Sequence, residues 1–199
     1  MSIYYPFVFA VMAAYFLVIG FRVVVSKRPY LMPSRYTFAL LLLAFSPQFV
    51  NSAKLLSGGM PEGTLWLELL SPAMFLCLLG YFWFQLTGYV VVGILPESFR
   101  QAIHASLEKH GQSFEERLSI IDLTSIGATL HVTVHSWAGS GQLRLLGADD
   151  PSLLSRIVAG VNDYYAEHDN KLNTMTPRLY VVMGLFLLAG AGVMLFYIS

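Results

Sequence analysis

The sequence predicts an α-helical integral membrane protein with four transmembrane helices and a small α+β domain inserted between the third and fourth. Three observations predict it: long apolar runs nearly free of charge, a low overall charge content, and the crowding of those charges into one stretch. Of the 199 residues, 56% are hydrophobic and 12% charged, against about 25% charged in an ordinary soluble domain. Residues 87–176 hold six of the twelve basic and ten of the twelve acidic side chains. The formal net charge of zero therefore averages two unlike regions and gives no reason to expect nucleic-acid binding. Residues 1–87 are expected to hold three spans, at about 3–25, 36–56 and 65–86. Residues 88–176 form the domain and its linker, and residues 177–199 the fourth span, at about 179–198. A helix crossing about 30 Å of hydrocarbon needs roughly 20 apolar residues, which each run supplies.

The first span carries no charge before Arg22, and Ala10 and Ala14 form a small-xxx-small pair suited to close helix approach. A cleaved leader places basic residues before its apolar run. Here Arg22, Lys27, Arg28 and Arg35 all follow it, the pattern of an uncleaved anchor with its N-terminus outside. The second span turns polar halfway, with Pro47 set to kink it. Gln48 and Asn51, three residues apart, share a face. Lys54 closes this span and Glu68 opens the third. These four residues are the candidate intramembrane polar contacts. Hydrogen bonds between helices, worth about 1 kcal/mol each, account for Gln48 and Asn51 more simply than a binding spot does. Snorkelling near span ends accounts for Lys54 and Glu68. Gly184, Ala189, Gly190, Ala191 and Gly192 make the fourth span lean and suited to tight packing. Cys77, the single cysteine, lies in an apolar run and reads as a small buried hydrophobe.

Lysine and arginine concentrate on cytoplasmic loops. The loop after span one is basic, the loop after span two is balanced, and Arg178 abuts span four on its domain side. Together these biases predict both termini outside and the domain in the cytoplasm, most simply at a bacterial inner membrane.

Within the domain, YVVVGI (89–94) reads as a strand and 97–110 as a helix with Phe99, Ile103 and Leu107 on one face. Residues 113–123 fit either a helix opened by a Ser113–Glu116 capping box or an alternating strand; the strand is preferred. Residues 128–137 alternate most clearly. Leu130, Val132 and Val134 face one way, and His131, Thr133, His135 and Trp137 face the other. A turn at 138–141 returns the chain through QLRLLG, and Asp150 with Pro151 opens a last helix burying Leu153, Leu154, Ile157, Val161 and Tyr164. The order is β-α-β-β-β-α, an antiparallel sheet with two helices on one face.

All five histidines lie in this domain. His131 and His135, four apart on a strand, sit about 13 Å apart and cannot easily share a metal. Adjacent Glu115 and Glu116 point to opposite faces and read as a solvated edge. No catalytic, cofactor or metal signature emerges, so none is assigned. The expected partners are the lipid bilayer and a protein partner or a second copy of the chain. His131, Thr133, His135 and Trp137 form the candidate binding face. The preferred function is non-enzymatic: a cytoplasmic domain serving protein interaction, assembly or regulation. The alternatives are an oligomeric transporter or channel subunit using the four span polars, and a membrane enzyme using the histidine-bearing face.

Overall fold

The computed structural model describes residues 3–57, 65–85, 87–117, 120–148, 150, 152–168 and 171–198. The chain divides into two compact units: Met1–Phe16, Arg35–Thr87 and Met183–Ser199 in one, Leu17–Ser34 and Gly88–Val182 in the other.

The first unit is helical. It contains the start of α1 (Tyr4–Ser26), α2 (Ser34–Ser57), α3 (Leu65–Gln85) and the end of α6 (Met175–Phe196). α1 and α6 are long and apolar enough to cross a membrane. α2 is as long, but Pro47, Gln48, Asn51 and Lys54 dilute its second half. Aromatic rings join α2 to α3: Phe45 stacks on Phe75 at 4.4 Å, Phe49 meets the same ring edge-on at 4.9 Å, and Phe38 meets Trp83 at 5.2 Å. Such pairs add about 0.5–1.5 kcal/mol each beyond their buried area. The small residues are used unevenly. Ala191 is buried and Gly190 lies against the Phe9 ring, whereas in α1 it is Ala13, not Ala10 or Ala14, that is fully buried.

The second unit is built on a six-stranded antiparallel sheet of order β1-β2-β6-β5-β4-β3. Its strands are β1 (Tyr30–Pro33), β2 (Tyr89–Val92), β3 (Phe114–Arg117), β4 (Ile120–Leu123), β5 (Ala128–His135) and β6 (Ser140–Leu146). The expected β-α-β-β-β-α order is thus incomplete. Residues 113–123 are extended as preferred, but they make two paired strands, with Phe114 opposite Leu123 and Arg117 opposite Ile120. The residues joining them, 118–119, lie outside the described residues. The larger correction is β1. Residues 30–33, expected only as part of a basic loop, pair along their whole length with β2, from Tyr30 opposite Val92 to Pro33 opposite Tyr89. Pro33 is tolerated because β1 is an edge strand and needs no further donor on its open side.

Alternation sorts each strand into two faces. Val91, Ile121, Leu123, Leu130 and Leu143 turn inward and share one core with Phe99, Ile103 and Leu107 of α4 (Pro96–Lys109) and Ile157 and Val161 of α5 (Leu153–Glu167). Each such side chain, fully buried, contributes about 1.5–3 kcal/mol. α4 ends as expected, with Gly111 left-handed at φ 64°. α5 starts differently. Ser152 takes the cap position, and the Asp150 carboxylate accepts from the Ser152 backbone N–H at 2.8 Å and its hydroxyl at 2.7 Å. Pro151 lies outside the described residues. Tyr165, not Tyr164, completes the buried stripe of α5.

The two helices touch where α5 has no side chain. A Cβ on Gly160 would meet Ser106 Oγ at 2.3 Å, and that hydroxyl donates to the Ile157 carbonyl at 2.8 Å. Gly160→Val is therefore expected to push α4 and α5 apart and destabilise the domain by about 1–3 kcal/mol. Thermal unfolding of the detergent-solubilised protein measures this, and an unchanged midpoint contradicts the packing described.

Candidate functional site

The outward face of the sheet collects the polar side chains. Register places His131 opposite Arg144, Thr133 opposite Gln142 and His135 opposite Ser140. His131 is half-buried, while Thr133 and His135 are exposed. Arg144 Nε is buried and meets no hydrogen-bond partner among the described residues. A buried donor left unpaired costs about 1–3 kcal/mol, so this nitrogen is poised for an acceptor. In the sequence QLRLLG alternates for only four residues, too few to single out Arg144. Only the register with β5 aligns it with His131.

Trp137 does not belong to the face on which the sequence put it. β5 ends at His135, and Trp137 sits in the turn 136–139, 72% exposed. That turn is tightly held. The Ala138 and Gly139 N–H groups donate to the His135 carbonyl at 3.1 and 2.8 Å. Gly93 and Ile94 donate to the Gly139 carbonyl at 2.8 and 3.0 Å. From the start of α6, the buried Thr176 hydroxyl donates to the Ala138 carbonyl at 2.5 Å. Asn173 does two tasks: its amide donates to the Ser136 carbonyl at 2.9 Å, and its oxygen accepts the Met175 N–H at 3.0 Å. Gly139 has φ 66°, and a Cβ there would strike Asn173 at 2.4 Å, so glycine is required twice over. The effect is a rigid turn that presents one large indole to its surroundings.

On the helix side, α4 leaves part of the sheet uncovered. A cavity of about 510 Å³ has Val132, Val134 and Ile121 as its floor and Arg100 and Glu116 as its polar wall. Glu116 shares the inward face of β3 with Phe114, and its carboxylate reaches Arg100 Nε at 2.5 Å. His104 Nε2 lies 3.0 Å from the same carboxylate, misaligned for a hydrogen bond, and its ring packs on Phe114. The expected solvated edge therefore holds for Glu115, which faces outward toward Arg117 at 3.4 Å, and not for Glu116. The Arg100 side chain is 56% exposed, so its ion pair contributes at most about 1 kcal/mol.

Two polar side chains of α2 meet tyrosines of α1. Asn51 accepts from the Tyr5 hydroxyl at 2.8 Å, and Ser46 accepts from the Tyr4 hydroxyl at 2.6 Å. Gln48 and Lys54 are exposed, and the Glu68 side chain lies outside the described residues. Among the described residues no three His, Cys, Asp or Glu side chains converge within reach of one metal ion. Cys77 is exposed on α3, not buried.

The fold is thus an antiparallel α+β sheet domain whose chain runs into long apolar helices. Compared with known family models, curated proteins and solved structures, the chain matches none.

Tyr165, 4% exposed, supplies a pH test of the α5 packing. Burial pushes its phenol up to about 12 from 10.0, against the opposing effect of the Ser98 hydrogen bond. Below pH 10.0 folded and unfolded chains both keep the proton, and Tyr165 gives no pH slope. As pH rises from 10.0 to about 12, only the unfolded chain releases it, so stability falls across that window. Thermal midpoints against pH should show this decline in the native protein and a flatter limb in Tyr165→Phe.

Proposed function

We propose that this chain is an integral membrane protein of four spans, α1, α2, α3 and α6, whose sheet domain lies in the cytoplasm and binds a protein partner through its outward face. The pairing of β1 with β2 supports the topology. It joins the segment after α1 to the segment after α3 in one sheet, and two strands of one sheet must share a side of the bilayer. The intervening α2 and α3 form an even number of crossings, which meets that requirement. The basic residues Lys27, Arg28 and Arg35 beside β1 favour the cytoplasmic side. The same reasoning puts both chain ends outside.

The interaction role rests on one feature: an exposed Trp137 at the rim of a face on which Arg144 Nε has no hydrogen-bond partner among the described residues. Tryptophan and arginine are the residues on which binding energy concentrates. A partner carboxylate or carbonyl would satisfy the guanidinium while the indole buries against an apolar surface. No step of chemistry is assigned to this face, and the role is assembly or regulation, not catalysis.

Crosslinking from native membranes tests this. A photoreactive group at position 137 should yield one discrete adduct. Arg144→Gln should weaken its capture by roughly tenfold, the scale of a charge-assisted hydrogen bond. Adducts only to lipid, or undiminished capture in the variant, would overturn the interaction role. Reporter fusions at both ends and at residue 140 test the topology separately: the ends should report the outer compartment and residue 140 the inner one.

A further inference from the structure

A second cavity, of about 320 Å³, lies where the end of α1 and the segment leading into β1 meet α5. It lies within the sheet-bearing unit and shares no residue with the groove beside α4. Its lining includes Arg22, Ser26 and Arg28 on one side and Asn162 and Tyr165 on the other. Among the described residues no carboxylate lines it.

The two guanidiniums are held in place without being neutralised. Arg22 lies over the Tyr30 ring at 4.6 Å. Stacking engages the flat face of a guanidinium and leaves the N–H groups along its edge available. Arg28 Nη2 donates to the Ala166 carbonyl at 3.3 Å, a long bond that uses one of five N–H donors. Among the described residues neither arginine forms an ion pair. Lys27, left-handed at φ 50°, turns the chain between α1 and the segment that carries Arg28. The Ser26 hydroxyl and the Asn162 amide are further potential donors in the lining. Elsewhere in this unit arginines meet carboxylates directly, as Arg100 meets Glu116 and Arg156 meets Asp150.

We infer that this cavity binds a phosphate-bearing anion, held between the Arg22 and Arg28 guanidiniums. Two guanidinium forks lining one small hollow match the oxygens of a phosphate better than they match a single carboxylate. The anion is either the headgroup of an acidic phospholipid or a soluble phosphate compound. The first source rests on the membrane reading above, because Arg22 falls at the inner end of the first span, where headgroup phosphates lie. The second does not.

The test uses the full chain in uncharged detergent. Calorimetric titration is run with inorganic phosphate, with short-chain phosphatidylglycerol and with short-chain phosphatidylcholine. At least one of the first two should bind, and phosphatidylcholine should bind markedly less than phosphatidylglycerol. Binding by phosphatidylglycerol alone identifies a lipid site, and binding by inorganic phosphate identifies a site open to soluble anions. Arg22→Gln and Arg28→Gln should each weaken binding by roughly tenfold. Arg22→Lys and Arg28→Lys keep the charge, lose the fork, and should retain part of the affinity. Raising the salt to about 0.5 M should weaken binding to the native chain, which needs no variant to fold. The inference fails if neither anion binds, if phosphatidylcholine binds equally well, or if affinity is indifferent to salt and to all four variants. Should the protein remain soluble without detergent, the membrane reading falls while the phosphate titration still decides the site.

Discussion

The structure depends on a short ladder, the pairing of Tyr30–Pro33 with Tyr89–Val92. Without it β2 would be the sheet's edge, and the residues between α1 and α2 would be a free loop. With it those residues become part of a folded domain, and the two chain segments are held to one side of any membrane the helices cross. The ladder also places Leu31 in the common core beside Val91. A backbone of four residues is thus held by both hydrogen bonds and apolar burial, the combination that makes a short edge strand persist.

The far end of the domain is secured differently, by polar contacts. Thr176 and Asn173, at the entrance to α6, bind the turn 136–139, and Gly93 and Ile94 bind it from the other side. The domain's chain is therefore restrained where it leaves β1 and where it enters α6. These contacts form only on folding and tie the turn to both neighbouring segments without adding apolar core. Trp137 stands exposed on a hydrogen-bonded turn, Arg144 lies half-buried on the outward face of the sheet, and Arg22 and Arg28 line a hollow with no acid among its described lining residues.

Much of the fold was legible in the sequence, and the failures have physical causes. The long apolar runs announced α1 and α6, and period-two alternation announced β5, because solvent and core impose those patterns directly. β1 was invisible: YLMP is too short for a period, and its proline argues against a strand unless one knows it is an edge. Residues 113–123 were ambiguous because Phe114, Leu118 and Ile121 fit a helical spacing as well as two strands. Trp137 continued the alternation of β5 on paper, and only the hairpin register removed it from the strand. The half-buried partner of Arg100 could have been found. Phe114 facing inward forces Glu116 inward too, opposite the exposed side of α4. The Arg22–Arg28 hollow could not, since its halves are separated by most of the chain and joined only by tertiary packing.

The most direct measurement is a disulfide trap across the β1–β2 ladder, made in native membranes with Cys77→Ser as background. Paired substitutions Tyr30→Cys and Val92→Cys put two thiols on directly opposed residues of neighbouring strands. The pair Leu31→Cys and Val92→Cys puts them on opposite faces. Mild oxidation should close an intramolecular bond rapidly in the first pair and not in the second. Failure of the first pair to close, or equal closure in both, would contradict the shared sheet and with it the single-sided arrangement of the loop and the domain.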